Sequence, residues 1–294
     1  NRGPFLSMNP FSSRCCQHNH AQGWPYFTEH LVLATPDNGV ATAIYAACKA
    51  TVKVGDGKEI TLHEETNYPF EEGIAFTVST DEKVAFPFYL RIPSWTQKAE
   101  VRVNGKKVSA APVAGKYLCI NREWANGDRV ELTLPMSLSM RTWQVNKNSV
   151  SVDYGPLTLS LKIAEKYVEK DSRETAIGDS KWQKGADPKK WPTTEIYPDS
   201  PWNYSLVLDK KEPLKNFKVI RKSWPADNYP FTATSVPLEV KAIGRPVPEW
   251  KIDETGLCGV LPEEDAVKGD KEEITLIPMG AARLRISAFP NTKE

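Results

Sequence analysis

Val101-Arg102-Val103-Asn104-Gly105-Lys106-Lys107-Val108 is the stretch of sequence that decides the fold class. Asn-Gly is the favoured pair in a two-residue hairpin turn, because both central residues of that turn need a positive φ. Valines on either side predict two short antiparallel strands. Similar strand signals recur at intervals of roughly ten residues, which is typical of antiparallel β-sandwiches.

Working outward from this hairpin, most of the chain is predicted as short strands and turns. Residues 50–62 are predicted as strand, turn and strand, and residues 117–120 with 130–134 as another hairpin-like pair. The polar stretch 165–203 is predicted as a surface loop, because long polar insertions usually lie on the surface. Residues 284–289 are expected to form the last strand.

A single helix is predicted, near the start of the chain. In residues 23–35, Trp24, Phe27 and Leu31 recur at helical spacing, and Pro36 ends the pattern.

Length and charge limit the class of protein. A chain of 294 residues is expected to form about two domains. Lys and Arg number 38 and Asp and Glu number 37, so the net charge is +1. This balance argues against a nucleic-acid or membrane-surface protein, which usually carries a basic excess. No apolar run approaches the roughly 18 residues that span a bilayer.

The densest chemical cluster is Arg14-Cys15-Cys16-Gln17-His18-Asn19-His20, which is followed by Trp24. Cys thiolates and neutral imidazoles are ligands that zinc prefers, and a Cys beside a metal or an Arg can be a nucleophile of low pKa. Trp24 beside the Gln17 amide and the imidazoles of His18 and His20 also suits a sugar, which stacks on an aromatic face. Two small buried residues remain an alternative for the Cys pair, because the C-x-x-C spacing of zinc sites is missing.

Paired carboxylates and tryptophans are the weaker candidates. Adjacent residues on a strand point to opposite faces, so the Glu pairs are predicted as solvated turns and edges rather than as a glycosidase acid and base. These pairs are Glu64-Glu65, Glu71-Glu72, Glu263-Glu264 and Glu272-Glu273. Five tryptophans suit either packing or a carbohydrate-stacking face, namely Trp182, Trp191, Trp202, Trp224 and Trp250.

The cluster around Cys15 and Cys16, together with residues 23–27 and 34–39, resembles the bacterial β-L-arabinofuranosidases of glycoside hydrolase family 127 and their relatives. Further stretches share this likeness, namely residues 65–70, 89–95, 103–106, 154–157, 276–278 and 284–290.

The resemblance implies a mainly β fold of two antiparallel β-sandwich domains that follow an (α/α)6 catalytic barrel. The chain is accordingly expected to be the C-terminal part of a longer enzyme. Residues 1–36 would be a helical remnant of the barrel, residues 37–143 with 271–294 the first sandwich, and residues 144–270 a second, inserted sandwich.

The resemblance also implies roles for the Cys pair. Cys15 matches the nucleophile and a zinc ligand, and Cys16 matches a second zinc ligand. The remaining zinc ligands, a Glu and a Cys, and the Glu acid/base would lie upstream, so the chain alone is expected to be inactive. The implied reaction is retaining hydrolysis, in which the Cys15 thiolate attacks the anomeric carbon of L-arabinofuranose or a related sugar.

Gln17, His18, His20 and Trp24 are expected to contact the carbohydrate substrate. The expected location is the periplasm or the outside of a bacterial cell. A non-catalytic carbohydrate-binding or structural sandwich is the alternative function.

Overall fold

The computed structural model describes the following parts of the chain: residues 15–170, 189–190, 193–254, 256–263 and 266–294. Strands predominate in it, and the chain divides into two compact units. One unit is Asn19–Ser137 and the other contains Leu138–Glu294. The predicted mainly β fold class is therefore confirmed.

The first unit contains most of helix α1 and ten described strands. The helix is Cys15–Glu29, and the strands are β1 (Val32–Ala34), β2 (Val40–Thr42), β3 (Cys48–Val54), β4 (Lys58–Thr66), β5 (Gly73–Ser79), β6 (Val84–Arg91), β7 (Glu100–Val103), β8 (Lys106–Lys107), β9 (Tyr117–Trp124) and β10 (Arg129–Thr133).

These strands form two sheets that share one apolar core. The four-stranded sheet has the order β1-β2-β6-β9, and the six-stranded sheet has the order β3-β4-β5-β10-β7-β8. Alternate residues of both sheets face inward, and the core is dominated by Phe76, Phe86, Phe88 and Trp124. The predicted β7–β8 hairpin is confirmed, with φ of 50° at Asn104 and 76° at Gly105.

The predicted hairpin between β9 and β10 is wrong. β9 pairs with β6 in one sheet, whereas β10 pairs with β5 and β7 in the other. Burial explains the difference, because Trp124 of β9 and Val130 of β10 enter the same core from opposite sheets. The turn at residues 125–128 therefore carries the chain from one sheet to the other.

The helix also differs from its prediction. α1 begins at Cys15 and ends at Glu29, so Pro25 lies inside it. Residues 32–34 form β1, which pairs antiparallel with β2. Backbone hydrogen bonds from Thr35 N to Gly39 O and from Asn38 N to Thr35 O close the turn between these two strands.

The second unit contains the remaining described strands. They are β11 (Leu138–Trp143), β12 (Ser149–Tyr154), β13 (Leu157–Leu161), β14 (Glu165–Lys170), β15 (Thr193–Pro198), β16 (Tyr204–Leu208), β17 (Lys218–Arg221), β18 (Leu238–Pro246), β19 (Glu272–Pro278) and β20 (Asn291–Lys293). The main sheet has the order β11-β12-β13-β19-β18-β16-β20, with β17 paired to β18.

Two predictions for the second unit need correction. The stretch predicted as a loop from 165 to 203 contains β14 and β15, which pair with each other. Residues 284–289 are irregular rather than a strand, and Phe289 from this stretch is fully buried and bridges to Val150. The last strand is instead β20, which runs parallel to β16.

The grouping of the C-terminal residues differs from the expected one. Residues 271–294 are expected in the first sandwich, but β19 pairs with β13 and β18, and β20 pairs with β16. All of these strands belong to the second unit, which begins at Leu138. No helix in the described part of the chain is long and apolar enough to cross a bilayer.

Candidate functional site on helix α1

The predicted chemical cluster lies at the start of α1. Cys15 is the first residue of this helix of 15 residues, and Cys16 to His20 continue its first turns. Cys16, His20 and Trp24 follow one another in the α1 sequence at intervals of four residues. Gln17 and His18 lie on the same turns of backbone, at other angles around the helix axis. The side chains of residues 15–21 lie outside the described part of the chain.

Trp24 presents a large aromatic surface on α1. Trp24 and Tyr26 are each 63% exposed to solvent. Phe27 meets Trp24 edge to face, with ring centroids 6.4 Å apart. An exposed indole near polar side chains is suited to stack against the apolar face of a sugar.

The turn between β1 and β2 contains a hydrogen-bonded cluster that the sequence did not predict. The Asp37 carboxylate accepts hydrogen bonds from the Thr35 hydroxyl and, at 2.6 Å, from the Tyr89 hydroxyl. These hydrogen bonds lower the pKa of Asp37, with Thr35 the larger cause. Gly39 N donates to Thr35 Oγ1 at 3.0 Å within the turn. The hydrogen bond from Tyr89 to Asp37 connects this turn to β6. The Thr-Pro-Asp-Asn-Gly sequence indicates a turn, but nothing in it points to Tyr89.

A groove of about 550 Å³ lies on the outer face of the six-stranded sheet. Gly73 and Ala75 of β5 line it, and their small size leaves room between the neighbouring strands. Arg129 forms ion pairs with Glu65 at 3.3 Å and with Glu131 at 3.4 Å. One guanidinium therefore pairs with two carboxylates, and the described residues that line the groove do not include Trp24.

Two described tryptophans of the second unit pack against each other. Trp202 and Trp250 contact each other with ring centroids 5.1 Å apart, and Trp250 is buried with its indole N–H donating to Gly259 O. Trp224 donates to Asn228 Oδ1 at 2.7 Å. Packing therefore accounts for Trp202 and Trp250. Two further tryptophans of the predicted face lie outside the described residues, namely Trp182 and Trp191.

The donor chemistry of the Cys pair suits zinc. A zinc ion usually takes four ligands, and Cys15 with Cys16 would provide two thiolates. In the parts of the chain that the structure describes, no group of three or more His, Cys, Asp or Glu side chains could hold a metal ion.

Part of the chain matches a protein-family model. Residues 39–136 match the model described as the middle domain of the GH127 β-L-arabinofuranosidases. This range covers most of the first unit, including both of its sheets. No curated protein matches the chain.

Solved structures share the fold of the chain. A GH127 β-L-arabinofuranosidase from Geobacillus stearothermophilus T6 has a TM-score of 0.62 and 22% identity, over 95% of this chain and 37% of that one. A GH127 β-arabinofuranosidase gives 0.62 and 22%, over 99% and 41%. A third structure, described as a glycoside hydrolase, gives 0.62 and 21%, over 99% and 42%.

At these identities the solved structures establish the shared fold, and the chain spans about two fifths of their length. The family model shows in addition that residues 39–136 resemble that family in sequence. The expected resemblance to glycoside hydrolase family 127 is thereby confirmed, and residues 39–136 match the middle domain of its β-L-arabinofuranosidases.

Proposed function

We propose that this chain is the C-terminal region of a retaining glycoside hydrolase that removes L-arabinofuranose or a related sugar from plant-type glycans. The observation that carries the proposal is the family match over residues 39–136. The shared fold with two GH127 arabinofuranosidases supports it. Because the chain spans about two fifths of those structures, we further propose that the acid/base carboxyl lies outside these 294 residues.

Cys15 is the proposed nucleophile. The neighbouring Arg14 in the sequence supports this role, because a nearby cation stabilises a thiolate. In the first step, the Cys15 thiolate forms a bond to the anomeric carbon while the bond from that carbon to the leaving oxygen breaks. The leaving oxygen takes its proton from the external carboxylic acid. Water then gives a proton to the same carboxylate while its oxygen attacks the anomeric carbon, and the carbon–sulfur bond breaks to release the thiolate, which gives overall retention of configuration.

Cys15 and Cys16 are the proposed zinc ligands of this chain. When bound, zinc would keep the two thiols deprotonated at neutral pH. Trp24 is proposed to stack against the sugar, and its high exposure supports this role. Gln17, His18 and His20 are proposed to bind sugar hydroxyls, since they share the first turns of α1 with the Cys pair.

Replacement of the proposed nucleophile tests this function. In the complete enzyme, Cys15→Ala should lower kcat for release of arabinose from an aryl β-L-arabinofuranoside by about 10⁴-fold or more, because the covalent step is lost. Cys119→Ala is the matched control, since Cys119 is an exposed thiol on β9, and it should keep normal activity. Near-normal turnover by Cys15→Ala would remove Cys15 from the mechanism.

A non-catalytic carbohydrate-binding module is the second candidate function. Tyr229 and Phe231 favour it, because they are about half exposed and form an edge-to-face pair with centroids 5.8 Å apart. Calorimetry of the 294-residue chain with arabinan oligosaccharides would decide. Binding heat that Tyr229→Ala abolishes would support a binding module, whereas no heat would leave the strands of this unit as structural support.

A further inference from the structure

Glu64 lies on β4 at a position that points into the core of the first unit. Ile60 and Leu62 precede it on the same face of the strand, and each of the three residues is only 1% exposed. The sequence predicts the Glu64-Glu65 pair as solvated, which is right for exposed Glu65 and wrong for Glu64. The alternation of β4 decides the outcome, because adjacent residues of a strand point to opposite faces.

The Glu64 carboxyl has few hydrogen-bond partners. Cys48 lies directly opposite on β3, and its Sγ approaches Glu64 Oε2 at 3.9 Å. The backbone of Ala46 also hydrogen-bonds to the carboxyl. The other oxygen, Oε1, is buried without a hydrogen-bond partner among the described residues. In the same part of the chain, no Lys, Arg or His forms an ion pair with Glu64.

The strands around Glu64 supply few groups that could stabilise a negative charge on its carboxyl. On β5 the residue opposite is Phe76, which is apolar. The titratable or charged groups around Glu64 and its neighbour Tyr45 are three tyrosines, one thiol and one guanidinium, namely Tyr45, Tyr68, Tyr117, Cys48 and Arg91. The Tyr45 hydroxyl donates to Arg91 O at 2.5 Å rather than to Glu64.

Burial therefore dominates the ionisation of this carboxyl. It raises the pKa of Glu64 to about 8, and the hydrogen bonds from Ala46 and Cys48 offset only part of this rise. Burial and the nearby Glu64 in turn raise the pKa of the Cys48 thiol to about 11. Both side chains are then neutral at pH 7.

We propose that the folded first unit holds Glu64 as a neutral carboxylic acid, and that the β3–β4 edge of its six-stranded sheet loosens as the pH rises from acidic to neutral. Among the described strands, β3 is the last of this sheet and pairs with β4 alone, so it can open without breaking another of their pairings. Opening lets the Glu64 proton pass to water and the carboxylate become hydrated. It also increases the exposure of Cys48, which is half-buried in the closed strand.

The pH window follows from the two states of the carboxyl. An unfolded Glu has a pKa of about 4.3. Between about pH 4.3 and the folded value of about 8, the folded chain retains a proton that the unfolded chain has released. The unfolding equilibrium constant should therefore rise by up to tenfold per pH unit in this window and change no further above it.

Glu64→Gln tests the proposal, since it keeps the shape of the side chain and removes its titration. In urea unfolding of the 294-residue chain, the ratio of the unfolding constants of wild type and variant should rise by up to tenfold per pH unit between pH 5 and 8. Iodoacetamide labelling, read by mass spectrometry for Cys48 relative to exposed Cys119, should rise more steeply with pH in wild type than in the variant.

Glu65→Gln is the matched control, because Glu65 is the exposed neighbour on the same strand, and its pH dependence should follow that of wild type. Parallel pH curves for wild type and Glu64→Gln would overturn the proposal. A carbon-13 NMR titration of wild type does not depend on the folding of a variant and should show one Glu carboxyl titrating near pH 8. Titration of every Glu carboxyl below about pH 6 would equally overturn it.

Discussion

Trp124→Phe should destabilise the first unit more than its conservative chemistry suggests. Trp124 is fully buried on β9, and its indole Nε1 donates to Phe86 O at 3.0 Å. Its ring stacks on Phe86 with centroids 5.7 Å apart and meets the edge of Phe88 at 5.9 Å. The substitution removes the donor and part of a ring that both sheets enclose.

Two losses set the size of the effect. The lost indole hydrogen bond to a carbonyl in a dry core costs about 1–3 kcal/mol. The missing part of the ring leaves a cavity that costs about 1 kcal/mol or more, because a packed core relaxes only in part. We therefore expect the free energy of unfolding to fall by about 2–4 kcal/mol.

Urea unfolding followed by far-ultraviolet circular dichroism would measure this loss without depending on tryptophan fluorescence. Tyr117→Phe is the matched control on the same strand, because Tyr117 is 49% exposed, and its effect should stay within about 0.5 kcal/mol. A loss below about 1 kcal/mol for Trp124→Phe would refute the reasoning that this hydrogen bond and packing stabilise the core.

Two other substitutions test the charge and packing of the structure. Glu239 is 8% exposed, and Lys162 and Lys222 outweigh its burial and lower its pKa. Glu239→Gln should cost about 1–3 kcal/mol at pH 7, and urea titrations should show this difference vanish as the pH falls below about 4. Gly39→Ala would place a Cβ 2.2 Å from a backbone oxygen of β6 and should cost more than 2 kcal/mol by thermal denaturation. Gly73→Ala, where a Cβ has open space, should instead be neutral or stabilise the chain by up to about 1 kcal/mol. Equal losses for the two glycine variants would contradict the role of this close approach.

Local signals predicted several elements correctly. Asn104-Gly105 adopts the positive φ angles of a two-residue turn between β7 and β8. Gly55 and Gly57 likewise have positive φ in the turn between β3 and β4. Turn preferences act over a few residues, so the sequence carries them in full. The start of α1 at Cys15 was harder to predict, because its first residues lack the apolar periodicity that marked residues 23–35.

The site roles assigned to the Cys pair, its neighbours and Trp24 stay a prediction, and the structure places the backbone of these residues in α1. The Asp37–Tyr89 hydrogen bond joins residues 52 positions apart and could not be read from either segment. The inward position of Glu64 could have been found, since Ile60 and Leu62 establish the buried face of β4.

The sequence by itself determined the β-rich class, the tight turns and the grouping of the Cys and His residues at the start of α1, because these depend on neighbouring residues. Only the tertiary structure decided that β9 and β10 enter different sheets and that β19 and β20 complete the sheet of the second unit. It also decided that Glu64 is enclosed with one oxygen unpartnered among the described residues. Strand partners depend on which apolar faces can be buried together, and that choice involves residues far apart in the chain.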